Sequence, residues 1–143
     1  MKKLPIAISD FKELINGNYI YVDKTEYIYK LINSGKYYFL SRPRRFGKSL
    51  LISTIRYLFE GQKELFKNLY IQDKWNWDET FPIIRISFAK DIRHKQDLKN
   101  TIFQELEKNY IRNQENLTEK IKNEASLLEN LIIKISEKKK ENK

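Results

Sequence analysis

Cysteine is absent from the 143 residues, and histidine occurs once, as His94. Without thiols there is no disulfide, no thiolate metal centre and no cysteine nucleophile. A single imidazole excludes a histidine-rich metal site and argues against a Ser-His-Asp triad. Glycine (4) and proline (3) are scarce, and no Gly-, Pro- or Ser-rich linker interrupts the chain. No apolar run approaches the roughly 20 residues that span a bilayer. Met1-Lys2-Lys3 leads into a mixed stretch that meets Asp10 before a signal-peptide core could form. These absences predict a cytoplasmic chain with no membrane partner.

What is present is apolar material and positive charge. Hydrophobic residues make up 41% and aromatic residues 13%, enough for one packed core. Lys and Arg number 28 against 19 Asp and Glu, a formal charge of +9. The excess sits early: the first 50 residues hold ten basic and four acidic side chains. Such a surplus suits phosphate-bearing partners and by itself does not choose between nucleotide, nucleic acid and anionic lipid.

Patterning predicts extended segments at Tyr19–Val22, Tyr37–Ser41 and Ile83–Phe88, from their β-branched and aromatic content. It predicts helices from Asp23 or Thr25 to Asn33, with Gly35 as a left-handed cap, and from Lys48 to Glu60. Two more follow, from about Lys95 to Arg112 and from near Asn116, where Glu119 has the spacing of a capping partner. A helical turn is expected at Leu65-Phe66. Glu137 to Lys143 is nearly all charged and is expected to fray.

The stretch that carries chemistry is an apolar strand, the loop Arg42-Pro43-Arg44-Arg45-Phe46-Gly47-Lys48-Ser49, and an amphipathic helix. The first turn of a helix offers unpaired N–H groups and a partial positive charge to an anion. Gly47 would let the backbone approach an oxygen, Lys48 would reach the β- and γ-phosphates, and Ser49 would place its hydroxyl on Mg²⁺. The usual pattern begins with glycine where this chain has Arg42. Gly-Lys-[Ser/Thr] alone arises by chance in roughly 5–10% of chains this long, so the flanking strand and helix carry the assignment. Arg42, Arg44 and Arg45 suit a polyphosphate, a nucleic-acid backbone or solvent. Asp23 ends an apolar run and imitates a Mg²⁺-directed acid, but turn or cap is the favoured role. Ser87 and Asp91 fall where a strand end would approach a ligand.

At these residues the chain resembles the AAA-ATPase-like family of bacteria and archaea. Leu4-Pro5-Ile6-Ala7-Ile8-Ser9-Asp10-Phe11 is similar to that family's opening, and Tyr21-Val22-Asp23-Lys24-Thr25 to its second signature. Arg42 to Ser49 is similar to its phosphate loop, in which Arg-Pro-Arg-Arg-Phe replaces the glycine-rich start. Phe81-Pro82-Ile83-Ile84 to Ser87-Phe88 is similar to its next strand.

The resemblance implies an ATP-binding domain, often fused to a nuclease-like domain of the PD-(D/E)XK type. It implies ATP and Mg²⁺ as cofactors, with Arg44, Arg45, Phe46, Gly47, Lys48 and Ser49 around the nucleotide and Ser49 on the metal. The fold expected is α/β and P-loop NTPase-like, an N-terminal portion with an incomplete parallel sheet flanked by helices. Residues 1–136 would be a partial domain and 137–143 a charged tail. The family's Mg²⁺-directed acidic strand would follow the last helix. The chain therefore reads as a fragment cut before it, which leaves open whether it is an enzyme that hydrolyses ATP. The other readings are a basic nucleic-acid-binding or adaptor module using the loop arginines, and a remnant that self-associates through an exposed sheet edge.

Overall fold

A computed structural model describes residues 2–88, 93–113 and 124–141. The chain divides into two compact units, Met1–Phe81 and Pro82–Lys143.

The first unit begins with a short helix, α1 (Phe11–Asn16), that the sequence reading passed over. Six residues cannot hold a helix by their own hydrogen bonds, so its start is fixed from outside. Asp10 Oδ1 accepts from the Glu13 N–H at 3.1 Å. Ser53 Oγ accepts from the Phe11 N–H at 3.0 Å and donates to Asp10 Oδ2 at 2.9 Å. The Tyr57 hydroxyl donates to the same carboxylate at 3.1 Å. Ser53 and Tyr57 lie on α3 (Lys48–Phe59), so this network ties the start of α1 to α3. Asn18, in the left-handed region at φ 55°, then turns the chain away.

Helix α2 (Thr25–Ser34) has no side-chain bond from its N-cap, Lys24, and Asp23 just before it holds the first turn instead. Asp23 Oδ1 accepts from Thr25 N and Oγ1 at 2.8 and 2.7 Å, and Oδ2 accepts from Tyr70 N at 2.7 Å. Gly35 is extended at φ −177°, not left-handed as expected. The Tyr38 hydroxyl instead donates to the Leu31 carbonyl near the helix end. A 3-10 turn, Lys63–Phe66, closes the core of Phe11, Ile28, Tyr57, Leu58, Phe66 and Ile71. Trp75 and Trp77 pack against that core, with their rings 5.3 Å from those of Phe59 and Phe66.

In the second unit, α4 (Lys95–Arg112) and α5 (Glu124–Glu141) bury Leu106, Tyr110, Leu127 and Leu131 between them. The start expected for the last helix, with Asn116 and Glu119, lies outside the described residues, as does Asp91. Residues 137–141 are helical rather than a frayed end.

The α/β expectation is overturned. Among the described residues there is no sheet, only an isolated parallel bridge between Lys3 and Tyr19. Apolar, β-branched sequence makes a strand only where a neighbour accepts its backbone groups. Tyr37 and Phe39, expected in a buried strand, are 92% and 95% exposed. For Ile83–Phe88 the reason is visible: side chains of α4 and of its C-cap, Asn113, occupy one edge of the extended segment. Asn109 Oδ1 accepts from Arg85 N at 2.8 Å, and Asn109 Nδ2 donates to Arg85 O at 2.6 Å. Glu105 Oε2 accepts from Ser87 N at 3.2 Å, and Asn113 Nδ2 donates to Ile83 O at 3.3 Å. Helix side chains thus stand where a neighbouring strand was expected. The sheet whose edge would carry self-association is not formed among these residues.

Candidate phosphate-binding site

Helix α3 starts unlike α1, which Asp10 caps, and unlike α2, whose first N–H is held by Asp23. Its N-cap is Gly47, which has no side chain to cap with, and its first turn holds no acidic residue. The first helical bond runs from Leu51 N to Gly47 O at 2.9 Å. The N–H groups of Lys48, Ser49 and Leu50 precede it and have no intrahelical acceptor. Such a terminus presents donors and positive potential to an anion.

The approach to this turn is sharply bent. Arg45 and Gly47 both have left-handed backbones, at φ 67° and 74°, on either side of Phe46. A Cβ on Gly47 would meet nothing within 4 Å. Glycine is therefore favoured here by its dihedral, and there is room for a Cβ. Lys48 folds back over the loop: its ammonium donates to the carbonyls of Arg42 at 2.5 Å and Pro43 at 2.8 Å.

Two hollows flank this loop. One, of about 790 Å³, is lined by Arg44, Arg45, Gly47, Lys48, Ser49 and Leu50 on one side and by Pro5–Ser9 on the other. The second, of about 550 Å³, takes Phe46, Arg42 and Gly47 from the loop and Ile20, Tyr21, Val22, Lys24 and Tyr27 from the preceding segments. Of the six residues expected around a nucleotide, five line the first hollow, and Phe46 faces the second. Neither hollow is lined by Asp or Glu. Among the described residues no group of three or more His, Cys, Asp or Glu side chains could hold a metal ion.

The far wall, Pro5 to Ser9, was not singled out as part of a site. No spacing rule marks it, although it belongs to the opening segment that carried the resemblance. Ala7 within it is left-handed at φ 60°, a conformation costly for alanine. The acid imitated by Asp23 is fully engaged in capping α2 and holding Tyr70. Asp10 is engaged likewise. Burial opposes its ionisation, but the Glu13 N–H, the Ser53 and Tyr57 hydroxyls and Arg56 outweigh that and hold it below its ordinary value. Burial also raises the Tyr21 phenol above its ordinary value.

Comparison with known proteins gives a family. The family model described as "Predicted AAA-ATPase", AAA-ATPase-like, matches residues 5–143. An uncharacterized protein encoded in the vnfD 5' region of Azotobacter chroococcum mcd 1 is 50% identical over 103 residues. That match covers 71% of this chain and 20% of the relative, so the chain spans about a fifth of the relative's length. No solved structure matches.

Proposed function

This chain belongs to the AAA-ATPase-like family, and we propose that its Gly47-Lys48-Ser49 turn binds the phosphates of ATP. The observation that carries the reading is the uncapped start of α3. It opens, with Lys48, Arg44 and Arg45, into a hollow that no carboxylate lines.

The residues present fit a polyphosphate. The free N–H groups of the first turn and the Lys48 ammonium supply donors, and the two arginines raise the local positive potential. The fit to Mg²⁺ is narrower. Ser49 Oγ offers one oxygen, and the remaining ligands would be phosphate oxygens and water, the usual pattern for this ion. Lys48 would exchange the Arg42 and Pro43 carbonyls for phosphate oxygens, a stronger, charge-assisted pairing. The reading stops at binding. Among the described residues neither hollow carries an acid to orient an attacking water, as phosphoryl transfer requires.

Equilibrium titration of the chain with ATP and Mg²⁺ tests this. Binding is expected in the wild type and at least about tenfold weaker in Lys48→Ala. DNA retention with a steep salt slope, indifferent to Mg²⁺ and to Lys48→Ala, would replace this reading with that of a basic nucleic-acid module.

A further inference from the structure

We infer, resting on the phosphate reading above, that Pro5–Ser9 is a strap that closes over the bound polyphosphate and meets it with backbone N–H groups.

The strap is tied down at both ends. Before it, Ile20 N donates to Lys3 O at 2.8 Å, and Lys3 N donates to Asn18 O at 3.3 Å. After it, Asp10 Oδ2 accepts from Ser53 Oγ, and Phe11 N donates to the same hydroxyl. That second anchor lies on α3, the helix whose head would receive the phosphate. The C-terminal end of the strap is therefore fixed relative to the site.

Between the anchors nothing holds it. Leu4 to Ser9 make no hydrogen bond with any described residue. Leu4 is 71% exposed and Ile6 84%, and within Pro5–Ser9 only Ile8 is partly covered. A segment with fixed ends, no internal bonds and little buried surface can shift at small cost.

What it can offer is donors. The strap lines the same hollow as Arg44, Arg45, Lys48 and Ser49. Ile6, Ala7, Ile8 and Ser9 bring four unbonded N–H groups to that hollow and no acidic side chain. The chain bends at Ile6-Ala7, and Ala7 is left-handed at φ 60°. A left-handed residue in a turn lets successive N–H groups converge on an anion. A polyphosphate has more acceptor oxygens than the first turn of α3 and Lys48 can serve. The strap would take part of the remainder and exclude water from it.

Amide hydrogen exchange of the full chain, read by NMR with Mg²⁺ and tripolyphosphate, tests this. Before the anion is added, the N–H groups of Ile6, Ala7, Ile8 and Ser9 should exchange at about the rate of an unfolded peptide. At saturating tripolyphosphate at least two of them should slow about tenfold or more. Ala7→Pro sets φ near about −65° and removes one N–H, and should weaken tripolyphosphate at least about threefold in calorimetry. Leu4→Ala, outside the lining of the hollow, should leave the affinity unchanged. Shifts of the Lys48 and Ser49 amides without slower exchange in the strap would overturn the strap and leave the phosphate reading standing. So would an Ala7→Pro chain that binds as the wild type does. No binding of tripolyphosphate or ATP by the wild type overturns both. The exchange measurement needs no substitution, so it decides the matter even if Ala7→Pro fails to fold.

Discussion

The Lys48 ammonium donates to the Arg42 carbonyl at 2.5 Å, so it closes the loop that precedes its own helix. Both of its acceptors are carbonyls of exposed residues, which water can satisfy in its place. Lys48→Ala is therefore expected to shift unfolding free energy by no more than about 0.5–1 kcal/mol. Urea denaturation checks this. A loss beyond about 2 kcal/mol would give Lys48 a structural role and confuse its use as a binding probe.

Gly47→Ala separates conformation from contact. The φ of 74° disfavours any residue with a Cβ, yet the space for that Cβ is open. The cost should be conformational alone, about 1–2 kcal/mol, seen as a lower thermal midpoint. A neutral substitution would show that the left-handed turn is not kept in solution.

Asn109 is fully buried and serves both backbone groups of Arg85. Asn109→Leu keeps the volume and leaves those groups without their partner. Denaturant titration should show about 2–3 kcal/mol lost. A change below about 0.5 kcal/mol would mean that water or another segment replaces the asparagine.

Acid should weaken both units in the same direction. The Asp10 carboxyl is depressed despite the opposing effect of burial, by its hydrogen bonds and Arg56. Glu105 is depressed by the hydrogen bond from Lys108 first, with the Ser87 N–H adding to it against burial. A carboxyl depressed in the folded state contributes stability above its unfolded pKa of about 4. That contribution is lost as the pH falls through the lower folded value. Stability should therefore be level from about pH 7 to 5 and fall below about pH 4, with Asp10→Asn flattening part of the fall. An unchanged acid slope in Asp10→Asn would remove Asp10 from the account.

Helices were the readable part of this chain. The apolar spacing of Leu98, Ile102, Leu106 and Tyr110 marks α4, and its described bounds are those expected. The strands were misjudged because β-branched content records what a segment could pair with, not whether a neighbour is present. At Ile83–Phe88 the decisive residues are Asn109 and Glu105 on α4 and Asn113 at its C-cap, 18 to 30 positions along. No local pattern in the segment points to them. Helix α1 was missed for a similar reason, since Ser53 and Tyr57 fix its start from 42 or more residues away. Gly47, Lys48 and Ser49 stood out because their chemistry is local. The Pro5–Ser9 wall and the Tyr27–Phe46 hollow are tertiary, and only the fold brings them to the loop.

The central claim is that the turn at the head of α3 receives phosphate. Amide NMR of the isotope-labelled chain during addition of ATP and Mg²⁺ tests it most directly. The N–H signals of Gly47, Lys48, Ser49 and Leu50 should move most, and Lys48→Ala should reduce those shifts at the same nucleotide concentration. Amides of 47–50 that stay fixed at millimolar nucleotide, in a chain that remains folded, would contradict it.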